Sequence, residues 1–363
     1  MQPLKVVISG GGTGGHIFPA IAIAKALQKR NPQTQVLFVG AKGRMEMEKV
    51  PAAGYKIVGL DIAGIQRKFD LRNLLIPYKV VKSLWQAHKI LKEFKPDIVI
   101  GVGGYASAPT LYMAAQMDIP TLIQEQNSYA GLTNKILAKR VAAICVAFNN
   151  MDAYFPAKKI VLTGNPVRED LQDISGKREE ALKHFGLKEG QKTLLIIGGS
   201  LGARTINTSV FEGIHMLNDE GIQVIWQTGK FFYGKAQEKN SSTVKVFDFI
   251  NRMDLAYAAA DVVVSRAGAL SIAELCLTGK PCILVPSPNV AEDHQTKNAM
   301  ALVNENAAQL VKDVEAKRML VNSALYLLHD ENRQKQLTQT IRTLAIPNAA
   351  ERIVDEVYKI VPQ

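Results

Sequence analysis

Cysteine is scarce in this chain of 363 residues: Cys145, Cys276 and Cys282 are the whole complement, each inside an apolar stretch and none in a CxxC pair. An odd, dispersed set excludes a disulfide framework and predicts buried free thiols in a reducing compartment. No apolar run approaches the roughly 18–20 residues that a membrane-crossing helix needs. No leader pattern is visible either, because Met1–Lys5 runs straight into a strand-like segment. Together these predict a cytosolic protein that can rest on a membrane surface. Short-period repeats and low-complexity tracts are missing, and 47% apolar with 21% charged residues excludes disorder. The P-loop pattern GxxxxGK[ST] is absent, which argues against ATP hydrolysis. Helix-turn-helix, zinc-finger and RNA-binding signatures are absent too, so the net charge of +11 carries no expectation of nucleic acid.

That charge is unevenly spread. Residues 1–165 hold 21 Lys and Arg against 9 Asp and Glu, whereas residues 166–363 hold 23 against 24. A solvated basic face, an anionic membrane and a polyphosphate substrate all fit such a first half.

What the chain does have is alternation. Strand-like runs near 4–9, 35–39, 55–60, 97–101, 120–124, 142–147 and 159–163 are separated by helical stretches. The second half repeats the plan near 193–198, 222–227, 243–247, 261–265, 281–285 and 307–311. Several are continuous Val/Ile/Leu runs, as expected of parallel strands covered on both faces. The fold class is therefore α/β, with doubly wound parallel sheets. Turn residues at 163–167 mark the linker, which predicts domains at 1–164 and 165–344. The tail 345–363 contains one amphipathic helix near 348–361.

Each half opens on a glycine-rich loop between a strand and a helix: GGGTGGHIFP (Gly10 to Pro19) and GGSLGAR (Gly198 to Arg204). Glycine lets the backbone approach a ligand, and a helix N-terminus offers N–H groups to an anion. Gly10-x-Gly12-x-x-Gly15 matches the dinucleotide fingerprint, but Gly40-Ala41-Lys42 follows the second strand with no carboxylate for a ribose, which counts against NAD. In the second half, SRAGALSIAEL (265–275) follows a strand. Its Ala269, Leu270 and Ser271 open a helix, and Glu274 stands three residues after Ser271. That spacing fits a capping box, and it equally fits a carboxylate that accepts two ribose hydroxyls.

Seven motifs occur in a defined order: GGGTGGHIFPA, IGVGGYASAP (100–109), EQNSYAGLTNK (125–135), GNPVR (164–168), GGSLGAR, SRAGALSIAEL and DHQTKNA (293–299). The set resembles the MurG family, bacterial N-acetylglucosaminyltransferases that complete the lipid-linked peptidoglycan precursor. The resemblance implies a GT-B glycosyltransferase with two Rossmann-like domains and a cleft between them. The donor it implies is UDP-N-acetylglucosamine. The implied acceptor is undecaprenyl-diphospho-N-acetylmuramoyl-pentapeptide (lipid I), and the products are lipid II and UDP, with inversion at the anomeric carbon. The first domain would bind acceptor and membrane, the second the UDP-sugar, and the C-terminal helix would return to the first.

Inversion needs a base for the acceptor hydroxyl and positive dipoles for the departing diphosphate. His16, at a helix start that disfavours the imidazolium, is one candidate base, and Glu125 beside Asn127 is its rival. Each also has a structural reading, His16 as a helix-start side chain and Glu125 as a loop-orienting carboxylate. By resemblance, Thr13, Gly14 and Gly15 contact sugar and acceptor diphosphate, and Gly103, Gly104, Tyr105 and Asn127 lie on the acceptor side. Arg168 would bind the donor's phosphate or uracil side, Ser200 the phosphate, Ile250 the uracil and Gln295 the sugar hydroxyls. Where the family commonly has glutamine, this chain has Leu201 and Thr296.

No cofactor is expected. No DxD-type pair stands at a strand end, so loop amides and helix dipoles are expected to neutralise the diphosphate without a metal. Residues 62–95 mix apolar side chains (Ile65, Leu74, Leu75, Ile76, Val80, Leu84, Trp85) with Arg67, Lys68, Arg72, Lys79, Lys82, Lys89 and Lys92, a pattern suited to docking on anionic lipid. One face, with Leu74, Val81, Leu84 and Leu91, is expected to pack on the sheet, and Pro77 is expected to leave an exposed turn near 74–80. Three other readings share much of this evidence: a UDP-N-acetylglucosamine 2-epimerase, a diacylglycerol glycosyltransferase and a non-catalytic nucleotide-sugar-binding protein.

Overall fold

A computed structural model describes residues 3–62 and 76–361. Its strands in the first half are β1 (Lys5–Ser9), β2 (Gln35–Ala41), β3 (Lys56–Leu60), β4 (Ile98–Gly101), β5 (Thr121–Glu125), β6 (Ala143–Val146) and β7 (Ile160–Leu162). The second half contributes β8 (Thr193–Ile197), β9 (Gln223–Gln227), β10 (Val244–Phe247), β11 (Val262–Ser265), β12 (Cys282–Leu284) and β13 (Gln309–Leu310). They form two sheets, ordered β3-β2-β1-β4-β5-β6-β7 and β10-β9-β8-β11-β12-β13. Every pairing is parallel; Ile8, for instance, is in register with Phe38 on one side and Ile100 on the other. The chain is therefore α/β, with two doubly wound, Rossmann-like units.

The helices of the first unit are α1 (Gly14–Arg30), α2 (Glu46–Ala52), α3 (Ile76–Phe94), α4 (Ser107–Gln116) and α5 (Leu132–Leu137). Those of the second are α6 (Arg178–Phe185), α7 (Arg204–Asp219), α8 (Lys230–Ala236), α9 (Met253–Ala259), α10 (Ala269–Thr278), α11 (His294–Val303), α12 (Ala316–His329) and α13 (Glu331–Thr343). The last helix, α14 (Ala349–Ile360), returns to the first unit, which comprises residues 1–167 and 348–363; residues 168–347 form the second.

Period-2 alternation explains why the first sheet needs helices on both faces. Val6 and Ile8 of β1 point into one apolar layer with Ile17, Ile23 and Leu27 of α1. Ile353, Val354 and Val357 of α14 complete that layer. Val7 points the other way, into a layer with Leu91 of α3, Leu111 of α4 and Leu137 of α5. In the second unit Leu194 and Ile196 of β8 pack with Ile206 and Val210 of α7 and Leu320 and Leu327 of α12. All three cysteines are buried and free. Burial pushes the Cys145 and Cys276 thiols up to about 12, so neither offers a reactive thiolate near neutral pH.

Each sheet reverses its winding once, between β1 and β4 and between β8 and β11. In open α/β sheets ligands bind outside the carboxyl ends of the strands at such a reversal. Both glycine loops and the motifs around 103 and 268 stand at these two points. Among the described residues no helix is long and apolar enough to cross a membrane.

Two expectations about α3 are corrected. Pro77 lies in its opening turn, where a missing N–H breaks no intrahelical bond, so residues 76–80 are helix and not an exposed turn. Val81 does not pack on the sheet: it is 67% exposed, beside Tyr78 and Trp85 at 65% each. The buried stripe runs through Ser83, Ala87 and Leu91. The expectations placed on Ile65, Leu74, Leu75, Arg67, Lys68 and Arg72 fall outside the described residues, as does the side chain of Ile76.

Candidate active site

The first glycine loop and the turn after β4 are built against each other. The Gly11 N–H donates to the Gly103 carbonyl at 3.2 Å. Gly104 has φ +87°, and a Cβ there would stand 2.4 Å from the Gly11 carbonyl oxygen. A side chain at Gly104 would drive the two turns apart, and one at Gly11 would strike the Glu46 carboxyl at 2.2 Å, so both places are glycine. Thr13 is the N-cap of α1 and makes no side-chain cap bond. Gly14, Gly15 and His16 form the first turn of that helix. Tyr105 is 49% exposed next to the second turn.

His16 is folded back over this junction. Its Nδ1 lies 2.9 Å from the Gly11 carbonyl oxygen and 3.4 Å from Thr13 Oγ1. A carbonyl only accepts, so Nδ1 carries the hydrogen and Nε2 is the lone-pair nitrogen of the neutral ring. Nε2 faces Gly103, where an added Cβ would approach it to 2.8 Å.

Glu125, the last residue of β5, is 2% exposed. Its Oε1 accepts from the Asn127 N–H at 3.1 Å and Asn127 Nδ2 at 3.3 Å. Its Oε2 accepts from the Gly131 N–H at 3.0 Å and Asn134 Nδ2 at 2.9 Å. Four donors on one buried carboxylate fit the loop-orienting reading better than a base that must meet a hydroxyl. Asn127 is thereby held at the same carboxyl edge as His16.

In the second unit, the loop 198–203 joins β8 to α7. Gly202 has φ +78°, and a Cβ on it would lie 1.9 Å from the Thr228 carbonyl oxygen, so glycine alone lets the loop rest on the end of β9. Ser200 and Leu201 stand exposed at its crest. Ile250 is 3% exposed, and its N–H donates to Gln227 Oε1 at 2.9 Å.

The capping-box reading of Ser271 and Glu274 is not realised. Gly268 is the N-cap of α10 and the helix begins at Ala269, so Ser271 is already its third residue. Glu274 instead accepts from the hydroxyl of the fully buried Tyr257 at 3.0 Å. Burial raises the Glu274 pKa above the ordinary glutamate value, against the opposing pull of the Arg168 guanidinium and the Tyr257 hydrogen bond. Arg168 itself donates to the Asn251 carbonyl at 3.0 Å. Ala269 and Leu270 lie in the first turn of α10. Gln295 stands near the start of α11, its Oε1 accepting from the Ser287 N–H at 2.8 Å, and Thr296 turns away to Asp293 at 2.7 Å. Sequence reasoning thus brought Ile250, Ser200, Arg168 and the 268–274 turn to one edge of the second sheet, and His16, Thr13, Gly103, Gly104 and Asn127 to one edge of the first.

It missed three supports. Glu46 of α2 is 1% exposed; its Oε2 accepts from the Gly12 N–H at 2.8 Å and its Oε1 from the Ala41 N–H at 3.0 Å. A carboxylate does therefore reach the first loop, from the helix after β2, with one oxygen on each amide. Gln227, the last residue of β9, joins the second loop to the Ile250 segment, because its Nε2 donates to the Gly199 carbonyl at 3.2 Å. Arg266, inside the SRAGAL motif, donates to the Val285 and Pro286 carbonyls and to Asp313, which also accepts from Thr205 at the start of α7. Only Arg266 carried a signal, its place within a motif. Among the described residues no three His, Cys, Asp or Glu side chains converge as metal ligands would.

Comparison with known proteins agrees with this geometry. The profile of the glycosyltransferase family 28 N-terminal domain matches residues 6–146, and that of the family 28 C-terminal domain matches residues 193–353. A protein of Cytophaga hutchinsonii is 59% identical over 99% of this chain and 98% of its own length. One of Parabacteroides distasonis is 56% identical over 99% of both. Both bear the name UDP-N-acetylglucosamine–N-acetylmuramyl-(pentapeptide) pyrophosphoryl-undecaprenol N-acetylglucosamine transferase. Among solved structures, Acinetobacter baumannii MurG matches with a TM-score of 0.79 at 31% identity, covering 98% of this chain and all of that one. The UDP-GlcNAc 2-epimerase of Neisseria meningitidis shares the fold, with a TM-score of 0.64 at 16% identity over 99% of this chain and all of the epimerase. With both domains matched in order and full-length relatives above half identity, the chain belongs to glycosyltransferase family 28.

Proposed function

We propose that the protein moves N-acetylglucosamine from UDP-N-acetylglucosamine to undecaprenyl-diphospho-N-acetylmuramoyl-pentapeptide, giving lipid II and UDP. The observation that carries this reading is full-length identity of 59% and 56% to transferases of that name, against 16% to an epimerase of the same fold. In the proposed step the acceptor hydroxyl oxygen attacks the anomeric carbon while the bond to the diphosphate breaks, and the configuration inverts. His16 Nε2 takes the hydroxyl proton. Support for that role comes from Nδ1, which the Gly11 carbonyl keeps protonated, and from the helix start, which disfavours the imidazolium and so keeps the resting ring neutral. Glu125 holds the 126–131 loop and with it Asn127.

On the donor side, the amides of the loop 198–203 and the N-terminus of α7 face the leaving diphosphate. Glu274 accepts the ribose hydroxyls, Ile250 meets uracil and Gln295 the sugar. Residues 1–164 with the tail 345–363 bind acceptor and membrane, and residues 165–344 bind the nucleotide sugar. Docking on the cytoplasmic face of an anionic membrane uses the outer face of α3, where Val81 and Trp85 stand exposed one turn apart, followed a turn later by Lys89. The product feeds cell-wall growth, and through it cell shape and division.

The test is product identity. The acceptor should gain one N-acetylhexosamine in β linkage, read by mass and by the anomeric proton coupling. An α linkage would refute the in-line step, and free N-acetylmannosamine or its nucleotide would point to the epimerase.

A further inference from the structure

A cavity of about 510 Å³ opens at the carboxyl ends of β2 and β3 and the start of α3. Its charged lining is one-sided: Lys42, Arg44, Lys79 and Lys82 surround a single acid, Asp61. Asp61 already binds Lys42 Nζ at 2.8 Å and Lys82 Nζ at 3.0 Å, and it accepts from Gln86 Nε2 at 2.8 Å. Those donors hold its pKa well below the carboxylate range, so it stays ionised. Arg44 and Lys79 have no acidic partner among the described residues. Among the described residues the cavity therefore retains two cations with no acid to neutralise them.

Its position says which anion it meets. Lys42 directly follows Ala41, whose N–H is bound by the same Glu46 carboxylate that binds the Gly12 N–H. One side chain thus spans the distance between the cavity wall and the first glycine loop. An acceptor whose sugar lies at that loop carries its peptide within reach, because five extended residues span up to roughly 17 Å. A peptide ends in a carboxylate, the group that a guanidinium binds through two parallel hydrogen bonds. The exposed ring of Tyr78 supplies an apolar wall for the peptide stem.

We infer that this cavity is the subsite for the carboxylate end of the acceptor's peptide, with Arg44 and Lys79 as its specificity residues. The inference rests on the acceptor proposed above.

The experiment uses the intact protein, UDP-N-acetylglucosamine and two water-soluble acceptor analogues, one with a free terminal carboxylate and one amidated there. UDP release gives kcat and KM for each. For the wild type, amidation should raise the acceptor KM about tenfold with little change in kcat. The double variant Arg44→Gln/Lys79→Gln should show the raised KM with both analogues and no longer distinguish them, at retained kcat. Equal KM values in the wild type would overturn the inference, as would a double variant that still prefers the free carboxylate. A double variant that loses only binding to phosphatidylglycerol vesicles would also overturn it and assign the cavity to a lipid headgroup. No UDP release with either analogue would instead contradict the proposed reaction itself.

Discussion

Replacing Glu46 by glutamine should separate acceptor handling from nucleotide binding. The carboxylate is 1% exposed and bonds two backbone N–H groups, of Gly12 at 2.8 Å and Ala41 at 3.0 Å. An amide keeps one acceptor and turns an NH₂ toward the other donor, so one charge-assisted bond is lost and a repulsive contact replaces it. A hydrogen bond to a charged group is worth about 1.5–3 kcal/mol, and an orphaned buried donor costs about 1–3 kcal/mol. A loss of about 2.5 kcal/mol follows, which for a unit of this size lowers Tm by roughly 5–10 °C. If about 2 kcal/mol of it falls on the geometry of the loop 10–15, acceptor kcat/KM drops about thirtyfold. The nucleotide side is proposed to lie in the other unit, so UDP affinity by calorimetry should be unchanged. Gly11→Ala offers an independent route to the same state, since its Cβ would stand 2.2 Å from the Glu46 carboxyl. A Glu46→Gln protein with normal Tm and kcat/KM, or one whose UDP affinity falls in step with turnover, would refute the reasoning.

Further outcomes follow from the same geometry. Gly202→Ala meets both a left-handed φ of +78° and a contact of 1.9 Å to the Thr228 carbonyl, so it should cost roughly 3 kcal/mol and abolish UDP binding in calorimetry; normal binding would contradict a fixed loop. Tyr257→Phe removes a donor from Glu274, whose pKa is already raised, so the acid limb of UDP affinity should move to higher pH, and an unmoved limb would dissociate Glu274 from the ribose. Asp254, 1% exposed, is held by Arg252 and Lys177, and its pKa lies below the ordinary 3.8. Its stabilisation is complete above that value and is lost as pH falls through the depressed pKa. The Tm gap between wild type and Asp254→Asn should therefore close as pH is lowered below 3.8, and a gap that widens would reverse the sign. His16→Ala should lower kcat by about 10²–10⁴ with acceptor KM little changed, as expected for a proton acceptor, whereas a pure KM effect would assign it to binding.

Much of the fold was legible because several of its strands, β4, β5, β6, β8, β9 and β11 among them, are buried along their whole length, and glycine follows several strand ends. Each of the thirteen strand-like runs became a strand. The α3 face was misread for a definite reason. Its buried stripe is Ser83, Ala87 and Leu91, two of them small, which lets the helix lie close to α4 while the larger Tyr78, Val81 and Trp85 face outward. Apolar size alone therefore pointed to the wrong side. Ser271 and Glu274 misled through spacing, because Gly268, not Ser271, begins the helix. Glu46 and Gln227 were invisible since both act on backbone amides or carbonyls of segments remote in sequence, and no residue pattern encodes such a bond. The placement of His16, by contrast, followed from one local feature, a histidine in the first turn after a glycine loop.

The most direct measurement is UDP release from UDP-N-acetylglucosamine with and without a short-chain lipid I analogue. Release that depends on the acceptor is the predicted result. Release at the same rate without acceptor, or none in its presence, would contradict the transferase reading.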